Sequence, residues 1–171
     1  KTTTEFILST KKKISEKLGS VGGNTLYYPG CLTKFVLPEI EDSYKNILKA
    51  MKIDFIYIPE FNCCGTPVIN AGYEEDFKDL IEKNMELFKK YGIKSIITSC
   101  PGCYASFKKE YKFPVKHMTQ VVAENIHCFK RIGLKEDGSK EKITYHDPCH
   151  LGRVAGEYDA PRKILEGLGF E

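Results

Sequence analysis

Five of the seven cysteines in this 171-residue chain stand in one arrangement: Cys31, then Cys63-Cys64-Gly65, then Cys100-Pro101-Gly102-Cys103. Thirty-one residues separate the first from the pair, and 34 separate Gly65 from Cys100. An adjacent pair followed by a C-x-x-C asks for several thiolates acting together, in a metal site, an iron–sulfur cluster or a disulfide network. Structural zinc takes four ligands, and iron–sulfur clusters typically four thiolates. A fifth sulfur suits a larger or open centre in which irons share a bridging sulfide. A closed zinc site that staples loops is the alternative. A disulfide-redox reading draws on Cys100 and Cys103, which follow a strand and open a helix as in thioredoxin-like sites. It leaves Cys31, Cys63 and Cys64 without a role.

The residues between the cysteines fit such a centre. Two adjacent side chains face one point only if the backbone turns sharply, and Gly65 is free to take positive φ. Pro101-Gly102 is expected to form a tight turn aiming both flanking sulfurs inward, and Pro29-Gly30 a similar one before Cys31.

The elements that position them follow from periodicity. Leu26 to Tyr28, Phe55 to Ile58 and Ser95 to Thr98 are predicted strands, each leading to a cysteine loop. Helices are expected from Pro38 through Met51, over Phe77 to Phe88 with a stop at Gly92, from near Cys103, and over Met118 to Ile126. An amphipathic helix is also expected over Thr4 to Leu18. The alternation predicts an α/β fold, with a mainly parallel sheet flanked by helices. In such folds ligands gather beyond the carboxyl ends of strands, where every cysteine loop falls.

An internal repeat runs through the chain. Ile143-Thr144-Tyr145-His146-Asp147-Pro148-Cys149 repeats the strand-to-cysteine pattern of Leu26 to Cys31. Lys163 to Phe170 likewise matches Asn46 to Ile53. The expected organisation is an N-terminal helix and linker over 1–24, a first complete unit over 25–135, and the start of a second over 136–171. The chain opens at Lys1 rather than methionine and is read as a fragment, with the cysteine partners of Cys149 beyond Glu171.

The spacing C-x31-C-C-G-x34-C-x-x-C resembles the cysteine-rich CCG domain of the heterodisulfide reductases, from about Thr25 onward. Similar domains occur in thiol:fumarate reductase and in iron–sulfur subunits of lactate, glycolate, glycerol-3-phosphate and succinate oxidation. The resemblance implies a noncubane [4Fe-4S] cluster held by Cys31, Cys63, Cys64, Cys100 and Cys103. It makes Cys149 a ligand of a second cluster in a longer protein. It implies an oxidoreductase subunit that reduces a small-molecule disulfide, or one that relays electrons for an organic-acid dehydrogenase. The implied partners are ferredoxin-like, flavin or quinone-linked subunits, and a membrane would be reached only through one of them. A zinc-stabilised assembly module is the non-redox alternative.

The remaining signals are weaker. His146 and His150 are candidates to tune a cluster or relay protons, or simply to cap their turn. Arg153 could hold an anionic substrate group or lie on the surface. His117 reads as a packing or capping residue and Cys128 as a partly buried thiol. The net charge of +3 comes from lysines interleaved with acids, a solvated surface that argues against nucleic acid. No apolar stretch spans a bilayer and Lys11-Lys12-Lys13 precedes no signal sequence, so cysteine ligands in a reducing cytoplasm are expected. No phosphate loop, nucleophile elbow or H-E-x-x-H occurs, which leaves nucleotide-dependent and hydrolytic readings unsupported.

Overall fold

The computed structural model describes residues 24–135 and 137–171, and the helix expected over Thr4 to Leu18 lies outside them. Strands β1 (Thr25–Tyr28), β2 (Ser95–Thr98) and β3 (Val115–His117) form a parallel sheet in that order. Thr25 pairs with Ser95 and Tyr28 with Thr98, while Thr98 pairs onward with His117. Among the described residues seven α-helices accompany it: α1 (Cys31–Phe35), α2 (Pro38–Ala50), α3 (Thr66–Asn70), α4 (Glu74–Tyr91), α5 (Pro101–Lys109), α6 (Met118–Glu124) and α7 (Asp159–Gly167).

The strands are apolar on both faces because both faces are covered. Leu26, Tyr28 and Ile96 pack with Phe88 of α4 and Phe107 of α5. Tyr27 and Ile97 turn the other way, onto Leu48 of α2 and Met118 and Val121 of α6. This is the period-two alternation of a strand, here feeding two cores and an α/β/α sandwich. Phe88 and Phe107 are fully buried, each contributing roughly 1.5–3 kcal/mol by leaving water.

Helix ends follow the local chemistry. Pro38 occupies the first turn of α2, where its missing amide is not needed. Helix α4 begins with Glu74, Glu75 and Asp76 and ends with Lys89 and Lys90, each sign complementing the helix dipole. Gly92 then stops it at φ 65°.

Two expected strands are not formed. Phe55 to Ile58 contributes one parallel bridge, Ile56 to Leu26 at the free edge of β1. Pro59 has no amide to extend a ladder, and the carbonyls of Pro59 and Asn62 are taken by Lys34 Nζ and the Tyr28 hydroxyl. Ile143 to Asp147 is irregular and largely exposed, its Ile143 amide donating to Glu171 O at 2.9 Å. Among the described residues no strand lies alongside it to complete a ladder. The helix expected to reach Ile126 stops at Glu124, and a 3₁₀ turn follows over Ile126–Cys128.

Helices α2 and α7 end in the same way, as does α4 with Gly92 N on Lys89 O and Ile93 N on Phe88 O. After α2, Lys52 N donates to Lys49 O (2.9 Å) and Ile53 N to Leu48 O (3.0 Å). After α7, Gly169 N donates to Glu166 O (3.0 Å) and Phe170 N to Leu165 O (3.0 Å). Both are Schellman endings, with Lys52 and Gly169 at matching positions in the left-handed region, at φ 56° and 95°.

Candidate metal-cluster site

The cysteine loops meet beyond the carboxyl ends of β1 and β2. Cys31 opens α1 after β1, and the tight turn expected at Pro29-Gly30 is not formed: Gly30 sits at φ 85° and ψ 161° as the residue that caps α1. Cys100 follows β2 and precedes α5, whose first turn holds Pro101, Gly102 and Cys103. Pro101-Gly102 is therefore the start of a helix and not the tight turn expected. Proline at the first helical position and the i, i+3 spacing bring both sulfurs to one side of the helix N-terminus. Cys63 and Cys64 come from the loop before α3.

Close contacts of glycine hold these loops together. Gly30 has φ 85°, and an added Cβ would lie 3.5 Å from the sulfurs of both Cys100 and Cys103. Gly65 is left-handed at φ 85° and ψ −5°, as its place beside the cysteine pair requires. A Cβ there would strike the Phe77 ring at 2.4 Å.

All five cysteines line one cleft, Cys64 Sγ lies 3.3 Å from Thr66 Oγ1, and Cys63 Sγ accepts from Gly65 N at 3.4 Å. All are free thiols; Cys64 and Cys103 are buried and the other three half-buried. Hydrogen bonding from Cys103, helped by the backbone amides of Cys103 and Gly102, brings the Cys100 thiol down to about 6 against the effect of burial. Contacts from Cys103 and Cys63 likewise lower Cys64. Cys63 and Cys103 rise because they donate to those thiolates, and burial raises Cys31. Among the described residues no three His, Cys, Asp or Glu side chains stand already closed around a single ion. The cysteines instead line a cleft of about 590 Å³.

This donor set fits an iron–sulfur centre. Thiolates are its usual ligands, the backbone at Gly30 leaves the sulfurs uncrowded, and two of the five are already favoured as thiolates. Pro148, Cys149 and His150 also line this cleft, although Cys149 and His150 are exposed. Of the other residues singled out, His146 and Arg153 are not among those lining it. His117 caps α6: its Nδ1 accepts from Thr119 N, while Gln120 Oε1 accepts from His117 N in return. Cys128 is exposed at the end of the 3₁₀ turn, not partly buried as expected.

Periodicity did not single out the buried polar groups behind the cysteine pair. Asn84 of α4 is fully buried, and its Nδ2 donates to Cys63 O at 2.9 Å and to the Tyr111 hydroxyl at 2.9 Å. The Tyr111 hydroxyl and Ser106 Oγ both donate to Cys64 O, at 3.2 and 3.0 Å. The available signal is an asparagine at an inward position of an amphipathic helix, one turn from Phe88.

The chain matches the model of the cysteine-rich domain family CCG over residues 25–108 and again over 143–169. It belongs to that family. It is 36% identical over 146 residues to an uncharacterized iron–sulfur protein of Methanococcus maripaludis, covering 83% of this chain and 28% of that protein. It is 35% identical to the EtfAB:quinone oxidoreductase of Syntrophomonas wolfei, over 84% of this chain and 21% of that one. To a subunit of the dihydromethanophenazine:CoB–CoM heterodisulfide reductase of Methanosarcina barkeri it is 33% identical, over 84% of this chain and 37% of that protein. The chain thus spans well under half the length of these relatives. No helix among the described residues is long and apolar enough to cross a membrane.

Proposed function

We propose that Cys31, Cys63, Cys64, Cys100 and Cys103 hold a noncubane [4Fe-4S] cluster, and that the chain is part of an iron–sulfur oxidoreductase subunit of the heterodisulfide reductase type. The observation that carries this reading is that five cysteines from three loops line one open cleft. Four sulfurs would satisfy a closed zinc staple. A fifth, and a cleft that stays open beside them, suit a centre that exchanges electrons and admits a sulfur-bearing substrate. When bound, such a cluster supplies one-electron chemistry and open iron coordination for substrate sulfur.

The residues of this chain then have separate tasks. The cysteines bind. The Gly30 and Gly65 backbones let three loops approach each other, and the N-terminus of α5 favours negative charge at Cys100. Cys149 and His150 line the same cleft, and Cys149 would serve a second cluster once its own partners are supplied.

A second reading, electron relay toward a quinone-linked chain, is favoured by the Syntrophomonas relative and by the surface beside the cleft. Leu32, Phe35 and Val36 on and after α1 are largely exposed, 62–71% of each, and form an apolar patch suited to a partner subunit. Both readings place the protein in a reducing compartment with redox partners.

The test is metal and acid-labile sulfide analysis of protein prepared without oxygen, with visible and paramagnetic spectra. About four irons and four sulfides per chain, lost in Cys64→Ser and Cys100→Ser, is the expected result. One zinc and no sulfide would leave the motif a structural staple.

A further inference from the structure

The geometry points to Asn84, Tyr111 and Ser106 as positioning residues that aim the Cys63–Cys64 pair by holding its two backbone carbonyls. Successive side chains on an extended backbone point to opposite sides. For both sulfurs to line one cleft, the peptide units must rotate, and here both carbonyls turn away from the cleft into the core. A buried carbonyl left without a donor is costly. Among the described residues no backbone amide outside the regular elements reaches Cys63 O or Cys64 O. Their donors are the side chains: Asn84 Nδ2 on Cys63 O, and the Tyr111 and Ser106 hydroxyls on Cys64 O.

The network has only one consistent orientation. Cys63 O can only accept, so the amide atom facing it is Nδ2. The same Nδ2 donates to the Tyr111 oxygen, which leaves the Tyr111 proton for Cys64 O. Asn84 Oδ1 is then buried with no partner among the described residues. An aliphatic residue of similar size would remove that orphan oxygen but abandon Cys63 O, so the role of this amide lies on its Nδ2 side. The three donors come from α4, α5 and the segment just after α5, so the pair is fixed against two packed helices and not by its own loop.

Two consequences separate positioning from mere packing. In the reduced, metal-free protein the carbonyl bonds restrain Cys64, and weakening them exposes its sulfur. In the loaded protein, an inference that rests on the proposed cluster, each donor dipole behind a ligand carbonyl favours the more negative reduced state. Removing one therefore lowers the midpoint potential.

The experiment uses the whole chain with Tyr111→Phe, Ser106→Ala and Ser106→Thr. Phenylalanine keeps the ring that packs 4.8 Å from Phe107, and threonine keeps the hydroxyl, so the fold is retained and checked by melting. Alkylation of Cys64 by iodoacetamide, read by mass spectrometry on metal-free protein, is expected to rise about fivefold in Tyr111→Phe and Ser106→Ala, the equivalent of one net hydrogen bond. Ser106→Thr should stay at the wild-type rate. Unchanged rates in both hydroxyl-deleting variants would overturn the assignment. After anaerobic loading, the same two variants should show a lower midpoint potential and altered g-values, and an unmoved potential would confine the network to packing. A wild-type chain that takes only zinc would defeat the iron–sulfur reading, while the alkylation comparison would still decide the positioning role.

Discussion

Gly30 and Cys100 stand so close that a Cβ added to the glycine would lie 2.7 Å from the Cβ of the cysteine. That contact joins the end of β1 to the end of β2, the two places from which three of the five sulfurs arise. The glycine is also at φ 85° and ψ 161°, a region essentially reserved for glycine that costs an L-residue roughly 1–3 kcal/mol. Gly30→Ala therefore combines backbone strain with a backbone-side clash that no flexible side chain can relieve. It is expected to lower iron and sulfide content after loading to well below half of wild type, while circular dichroism still shows a folded chain. Wild-type metal content in this variant would mean that the two loops are free to separate.

The cleft that the five cysteines line is also lined by Cys149, which is exposed. The proposed ligand set does not include it. Cys149→Ser should leave the iron and sulfide content and the spectrum of this chain unchanged, whereas Cys103→Ser should abolish both. If instead Cys149→Ser loses metal, the site takes Cys149 as a ligand and the five-cysteine assignment is wrong.

The endings of α2 and α7 predict opposite responses to the same kind of exchange. Lys52 holds a left-handed φ that glycine adopts freely, so Lys52→Gly is expected to stabilise the chain by up to ~1 kcal/mol, net of the extra freedom glycine brings to the unfolded state. At the matching position, Gly169→Ala introduces the strain and brings a Cβ to 3.2 Å from Leu134 Cγ, so it should destabilise by about 1–2 kcal/mol. Urea melts of the two variants measure both signs. Equal and negligible shifts would show that these ends are frayed in solution.

How far the sequence carried this picture differs from element to element. The cysteine spacing, β2, the start of α2 and the stop of α4 at Gly92 were legible because each rests on local chemistry. The endings of α2 and α7 were legible as matched residues, though not as hydrogen bonds. The strand expected at Phe55 to Ile58 did not form because an apolar run reports burial, and Phe55 and Ile58 are indeed buried, but it does not report whether a ladder can continue past Pro59. Ile143 to Asp147 differs for a related reason: strand propensity needs a neighbouring strand, and among the described residues none lies alongside. Asn84, Tyr111 and Ser106 were out of reach because their role depends on carbonyls of Cys63 and Cys64, 21 to 47 residues away in sequence. Spacing rules carry side-chain types, whereas the direction of a backbone carbonyl is set only by the folded chain.

His117 provides a pH signature that is independent of the cluster. Burial lowers its imidazole to about 4, with the Ser99 backbone and Glu157 opposing the shift. Its Nδ1 accepts from Thr119 N and its buried Nε2 has no hydrogen-bond partner among the described residues, so the folded state holds the ring neutral. In the unfolded chain the ring titrates near 6.5. Between those values the unfolded state binds more protons, so stability is complete above about pH 6.5 and falls as the pH drops toward 4. The shift corresponds to about 3 kcal/mol over that window, an upper value because burial is incomplete. His117→Asn keeps an N-cap acceptor for α6 but removes the titration. Urea melts of the reduced, metal-free protein at pH 7 and pH 4.5 should show wild type losing more stability than the asparagine variant, by a margin of up to that size. If both lose the same amount, the ring is protonated without cost, and the end of β3 must open enough in solution to hydrate it.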